Sequence, residues 1–265
     1  MRRFMTVTSA ALVALALPAA AFAQSSGSTD FTAELRQANN SGGSAEAQIT
    51  LDGNMAEITL TGDGFFDGFP HAIHIHGEPG GDNVCPPAMN PGEDGFDDLA
   101  SQTMADGTPI LSVIDGAAFY GGVAASLTTE GDTSPDSALA VERFPTSATL
   151  DYQRTIELPE DVANDLSSLH LVVHATDLNG DGEIGPVEDG DGNQIPSSLN
   201  EDLPIEATAP AACGQIVAAA SGGIDTGAGG TATDSSNSAL LAGAIALGGL
   251  AAFGITRRRR AGEVA

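Results

Sequence analysis

Read for the alternation of apolar and polar positions, the chain predicts a β protein. The stretch AEAQITL (45–51) puts Ala45, Ala47, Ile49 and Leu51 at every second position, and MAEITLTG (55–62) repeats the pattern after a Gly-containing break. Alternation of this kind turns one row of side chains toward a core and the other toward water. The stretches HAIHIHG (71–77), GGVAASLTT (121–129), SATLDYQRTIEL (147–158) and LHLVVHATD (169–177) alternate or run apolar over strand lengths, with Gly, Asp and Pro between them. Long helical periodicity is missing, and DVANDLSSL, from Asp161, predicts no more than a short helical turn. Many short strands joined by long acidic loops predict an all-β antiparallel sandwich or barrel.

The two ends change the picture of where this domain works. MRRF, the apolar ALVALALPAAA and the small-residue AFA before Gln24 follow the grammar of a secretory signal over residues 1–23. A Gly/Ser/Thr-rich stalk (219–238) leads to an apolar segment (239–256) and a basic tail (257–265). About seventeen uncharged residues at about 1.5 Å each are just enough to span a bilayer, with the arginines left on the cytoplasmic side. A tripartite surface-sorting signal is the alternative reading of the same tail. The expectation is an exported domain, residues 24–218, held at the cell surface through a C-terminal segment in the membrane.

Charge narrows the function classes. The formal net charge is −27, all nine basic residues are arginines, and the exported domain holds only Arg36, Arg143 and Arg154 among them. Nucleic acid is excluded as a partner on charge grounds. The only cysteines, Cys85 and Cys213, both fall in the exported part, where an even count predicts a disulfide. That bridge would tie the segment after the histidine cluster to the last strand.

Three of the five histidines, His71, His74 and His76, lie within six positions, and the other two, His170 and His174, share one later strand. On a strand, His74 and His76 point to the same face. Joined by a third imidazole from another strand, they would make a nitrogen site suited to copper. A hydrogen-bonded polar pair on an exposed face is the simpler alternative for an isolated H-x-H.

GFPHAIHIHG resembles the H-x-x-H-x-H segment of the copper/zinc superoxide dismutases, LHLVVHATD their later L-V-V-H segment, and AACGQIV their closing A-C-G-x-I. The resemblance implies an immunoglobulin-like Greek-key β-sandwich or flattened barrel. It also implies copper ligation by His74, His76 and His174, a supporting role for His71, and the Cys85–Cys213 disulfide; His170, on the same strand as His174, is left to a supporting role. The departures are specific. Ala88 stands where that family has its metal-bridging histidine, and no histidine occurs between Met89 and Leu169, so the zinc site is missing. Pro210 replaces the arginine that guides superoxide. HAIHIHGEPGG is also similar to the A-H-I-H-G segment of the chordin-type (CHRD) domain, a secreted β module without established catalysis.

One further motif, DLNGDGEIGPVE (177–188), fits a calcium-loop pattern. Asp177, Asn179, Asp181 and Glu188 would offer side-chain oxygens, Glu183 its backbone carbonyl, and Gly182 the turn. Three functional expectations follow. One is a surface copper protein of the dismutase-like fold, with superoxide turnover left open. Another is a non-catalytic CHRD-like module stabilised by calcium and a disulfide, and the third is a copper-sequestering protein.

Overall fold

The computed structural model describes residues 27–220. The expected signal segment, stalk, membrane segment and basic tail lie outside the described residues. Among the described residues, no helix is long and apolar enough to cross a membrane.

The strands are β1 (Thr29–Gln37), β2 (Ser44–Asp52), β3 (Met55–Asp63), β4 (Ile73–His76), β5 (Gln102–Thr103), β6 (Pro109–Ile110), β7 (Val123–Ser126), β8 (Leu150–Glu157), β9 (His170–His174), β10 (Val187–Glu188), β11 (Gln194–Ile195) and β12 (Pro210–Ala218). Eight of them form one antiparallel sheet in the order β7-β4-β9-β12-β1-β2-β3-β8, and the other four make two short hairpins. The chain crosses between the two halves of this sheet three times, from β3 to β4, from the edge strand β7 to the opposite edge strand β8, and from β8 to β9. The consecutive strands β1, β2 and β3 lie side by side, while β12 pairs with β1 and β8 with β3 through long connections, as in Greek-key arrangements. The fold is all-β, as the alternation predicts.

Burial follows the pattern that the sequence sets. In β2 every second residue is buried, and Ala45, Ala47, Ile49 and Leu51 join Ile58, Leu60, Ile73, Ile75, Leu171 and Val173 in one core. The edge strand β8 carries Arg154 at an inward-facing position. Its guanidinium donates to the carbonyl and hydroxyl oxygens of Thr128 and to the carbonyl of Gly131, just beyond the opposite edge strand β7. An inward-pointing charge of this kind closes the seam between two edges that would otherwise be open to further strands.

The helices are short: α1 (Phe96–Leu99), α2 (Val113–Tyr120), α3 (Glu160–Asn164) and α4 (Ile205–Thr208). Helix α3 lies where the short helical turn is expected. Helices α1, α2 and α4 are not revealed by the periodicity, although SVID opens α2, the longest of them, with a capping box. The Ser112 hydroxyl accepts from the Asp115 N–H, and the Asp115 carboxylate accepts from the Ser112 N–H. Asn39 fastens this helix to the sheet. Its buried amide donates to the carbonyls of Leu111 and Pro210, and its side-chain oxygen accepts from the Leu111 N–H.

Cys85 and Cys213 are joined in a disulfide with a sequence separation of 128 residues. A closed loop of that length is worth about 5 kcal/mol in the chain-entropy account. The bridge fixes the segment after the histidine cluster to β12, as expected.

Candidate metal centre

Strands β4 and β9 are buried on both faces, which is unusual for a sheet that meets water elsewhere. Their inward residues, Ile73, Ile75, Leu171 and Val173, belong to the core. The same pleat puts His74, His76, His170, Val172 and His174 on the other face. The register sets His74 opposite Val172 and His76 opposite His170. This face is covered by helices α2 and α4 and by the segment between β7 and β8.

His74, His76 and His174 converge there, all buried, with one ligand atom from each lying within 4.8 Å of the others. Their ring centroids form a near-equilateral triangle with sides of 5.4, 5.2 and 5.5 Å. Among the described residues this is the one group of three or more metal-ligating side chains that gathers in this way.

The tautomers follow from the partners. A carbonyl oxygen can only accept, so the ring nitrogen facing it must carry the proton. His76 donates from Nδ1 to the Gly121 carbonyl at 3.0 Å, and His174 donates from Nδ1 to the Thr208 carbonyl at 2.8 Å. His74 donates from Nε2 to the Ala138 carbonyl at 3.1 Å, which leaves its buried Nδ1 without a partner. Three lone pairs are left over: Nδ1 of His74 and Nε2 of His76 and His174. The two Nε2 atoms stand 3.4 Å apart. Two lone pairs at that distance repel, and one ion with bonds of about 2 Å can bridge them.

The rings are held neutral, which is the form that binds metal. Burial, with the neighbouring imidazoles His174 and His76, pushes His74 well below the ordinary histidine value. Burial and then His174 bring His76 down to about 3, and burial brings His174 to about 4 against the opposing Thr208 bond.

Each outer acceptor comes from a different piece of covering structure. Gly121 ends α2, whose Tyr120 ring packs against His76 with centroids 4.7 Å apart. Thr208 ends α4, where its hydroxyl donates to Ser197. Ala138 lies in the segment SLTTEGDTSPDSALAVERFP (126–145), which runs from the end of β7 toward β8. That segment also sets Phe144 edge-on to His74 at 5.6 Å. Arg143 braces it by donating to the carbonyls of Glu130 and Asp132 and to the Ser137 hydroxyl. None of the three acceptors is a side chain, so no residue type in the sequence announces them.

His71 lies before β4, not on it. Its Nδ1 is 3.1 Å from the His174 carbonyl and its Nε2 is 2.6 Å from that of Phe66, so it braces the backbone of the trio. His170 is different. It is buried opposite His76, both its ring nitrogens lack partners, and it makes no hydrogen bond to the trio. Nothing in the structure explains those two unpaired nitrogens. Just beyond His174, Ala175 has φ 76°, a left-handed conformation that is costly for a residue with a Cβ. The turn is enforced by bonds from the Ala175 N–H to Ala209 and from the Thr176 N–H to Glu206, so strain sits directly beside the site.

Among the described residues, the acidic side chains of the expected calcium loop do not form a group of three within metal-binding reach. The Asp177 carboxylate accepts from the N–H groups of Gly180 and Gly182, and the Asn179 amide donates to Asp181. Asp181 also accepts from the Glu183 N–H, and Glu188 belongs to the β10–β11 hairpin. The residue that organises this loop is Glu206, which sequence reasoning missed. Fully buried, it accepts from the N–H groups of Leu178, Asn179 and Gly185. Burial raises its pKa against those three bonds. Spacing gave no hint of it, because it stands more than twenty residues from the loop it holds.

No known protein-family model matches this sequence, and no curated protein matches it significantly.

Proposed function

We propose that the chain is an exported, surface-anchored copper-binding protein with a dismutase-like β domain, and that His74, His76 and His174 hold the ion. One observation carries this reading. Three buried imidazoles each bring one ligand atom within 4.8 Å of the others, and each has one ring nitrogen tied to a backbone carbonyl, which leaves the second free to ligate. Such outer bonds orient metal-binding histidines and fix their tautomers. An all-imidazole donor set suits copper among the transition metals, and copper would supply one-electron chemistry when bound. The disulfide agrees with an oxidising location outside the cytoplasm.

The surroundings favour holding copper over fast superoxide capture. Arg143 and Arg154 are committed to backbone oxygens, and neither they nor Arg36 lines the cavity above the trio. A site that captures an anion quickly needs positive potential at its mouth. We therefore place sequestration or slow redox turnover ahead of dismutation.

The test is metal content of the full chain, exported, oxidised and dialysed against copper, zinc and calcium. The expected result is one copper per chain, with affinity reduced by more than about a hundredfold in His74→Ala and in His76→Gln. Calcium bound without any transition metal would shift the reading to the CHRD-like surface module.

A further inference from the structure

The trio forms one wall of a small cavity of about 50 Å³. Val113, Val123, Ala138, Leu139, Leu199 and Ala207 supply most of the rest. About 10–15 Å³ of such space is enough to hold a water molecule, so the cavity suits a small molecule of a few heavy atoms. Leu139 is 44% exposed and Leu199 is 55% exposed, which puts both at the mouth. They are two of several exposed apolar side chains on this acidic domain, and the two that line this cavity.

Resting on the copper reading above, we infer that this site admits small neutral ligands and turns away small anions. An anion entering the cavity would lose its hydration shell to alkyl groups, and only the charge of the ion itself would offset that loss. The lining includes no arginine, and the acidic exterior lowers the local concentration of anions before they arrive. A neutral diatomic loses almost no hydration and meets three imidazoles and the ion they hold.

The experiment uses the full chain loaded with copper. The reduced form is exposed to carbon monoxide and the C–O stretch is followed by infrared spectroscopy. The oxidised form is titrated with azide through its charge-transfer band. Carbon monoxide should bind one per copper, and azide should bind at least ten times more tightly to Leu139→Arg or Leu199→Arg than to the native chain. Both positions are exposed enough to accept arginine without disturbing the core. Failure to load copper overturns the copper reading itself, before any ligand is added. Copper that loads but takes no carbon monoxide, or that binds azide equally in all three proteins, overturns the neutral-ligand inference alone. Tight azide binding to the native chain only at about 1 M salt, where charges are screened within about 3 Å, would assign the exclusion to the acidic surface and overturn the role of the cavity.

Discussion

The histidine trio and the acidic loop at 177–188 both look like metal sites in one dimension, yet they use their polar atoms in opposite ways. In the trio, every outer ring nitrogen meets a backbone carbonyl and every inner one is left without a proton to share. In the loop, Asp177 and Asp181 turn inward onto neighbouring N–H groups, and Glu206 takes up three more. Unused hydrogen-bonding capacity in a dry place is expensive, and in the trio, unlike at His170, ligand atoms of three side chains converge, which points to a ligand. Acidic residues at the surface carry no such signal, because water satisfies them.

Acid should separate the two regions most strongly. His76 and His174 have folded-state values of about 3 and about 4, below the ordinary 6.5, so the unfolded chain binds protons that the folded one refuses. Their contribution to stability is complete above pH 6.5 and falls as the pH drops toward those lower values. Between about pH 7 and 5 each costs about 2 kcal/mol, or about 4 kcal/mol together, with His74 adding to it. Glu206 works the other way. Its raised value makes the folded state bind a proton sooner, so it gains stability as the pH falls. Urea unfolding of the metal-free chain should therefore weaken steeply over this window, and more steeply in Glu206→Gln. A flat profile would mean that the imidazoles are not held neutral.

At neutral pH, Glu206→Gln should cost about 2 kcal/mol, because its amide would face an N–H group where an oxygen now accepts. Asp181→Asn, on the exposed part of the same loop, should stay within about 0.5 kcal/mol. Equal losses in chemical denaturation would show that the loop is held by its own acids and not from beneath.

Calcium should have the smallest effect. A saturating ligand would raise the melting midpoint with concentration, and we expect calcium or a chelator to move it by less than about 2 °C, which scanning calorimetry can resolve. A larger rise would mean that Asp177, Asp181 and Glu188 rearrange around an ion and that the loop is a second metal site.

Much of this molecule is legible before folding. Alternation in 45–51 and 55–62 gives β2 and β3 with the correct residues inside, because a two-residue period has only two faces to choose between. The apolar pair flanking His74, Ile73 and Ile75, already argues that the histidines take the opposite face. The two cysteines leave a single pairing. Helix α2 was legible too, but through its cap and not its periodicity.

What the sequence could not decide is whether that face is solvent or a second interior. A slip of one residue between β4 and β9 would have turned the imidazoles into the core. The register that pairs His74 with Val172 is decided by the packing of Ile73, Ile75, Leu171 and Val173 against the rest of the sheet. The tautomers depend on carbonyls of Gly121, Ala138 and Thr208, contributed by three segments far apart in the chain. Every residue type carries the same carbonyl, so the sequence cannot single these out. Residue identity determined which side chains can bind a metal, and only the tertiary structure decided which of their nitrogens are free to do so.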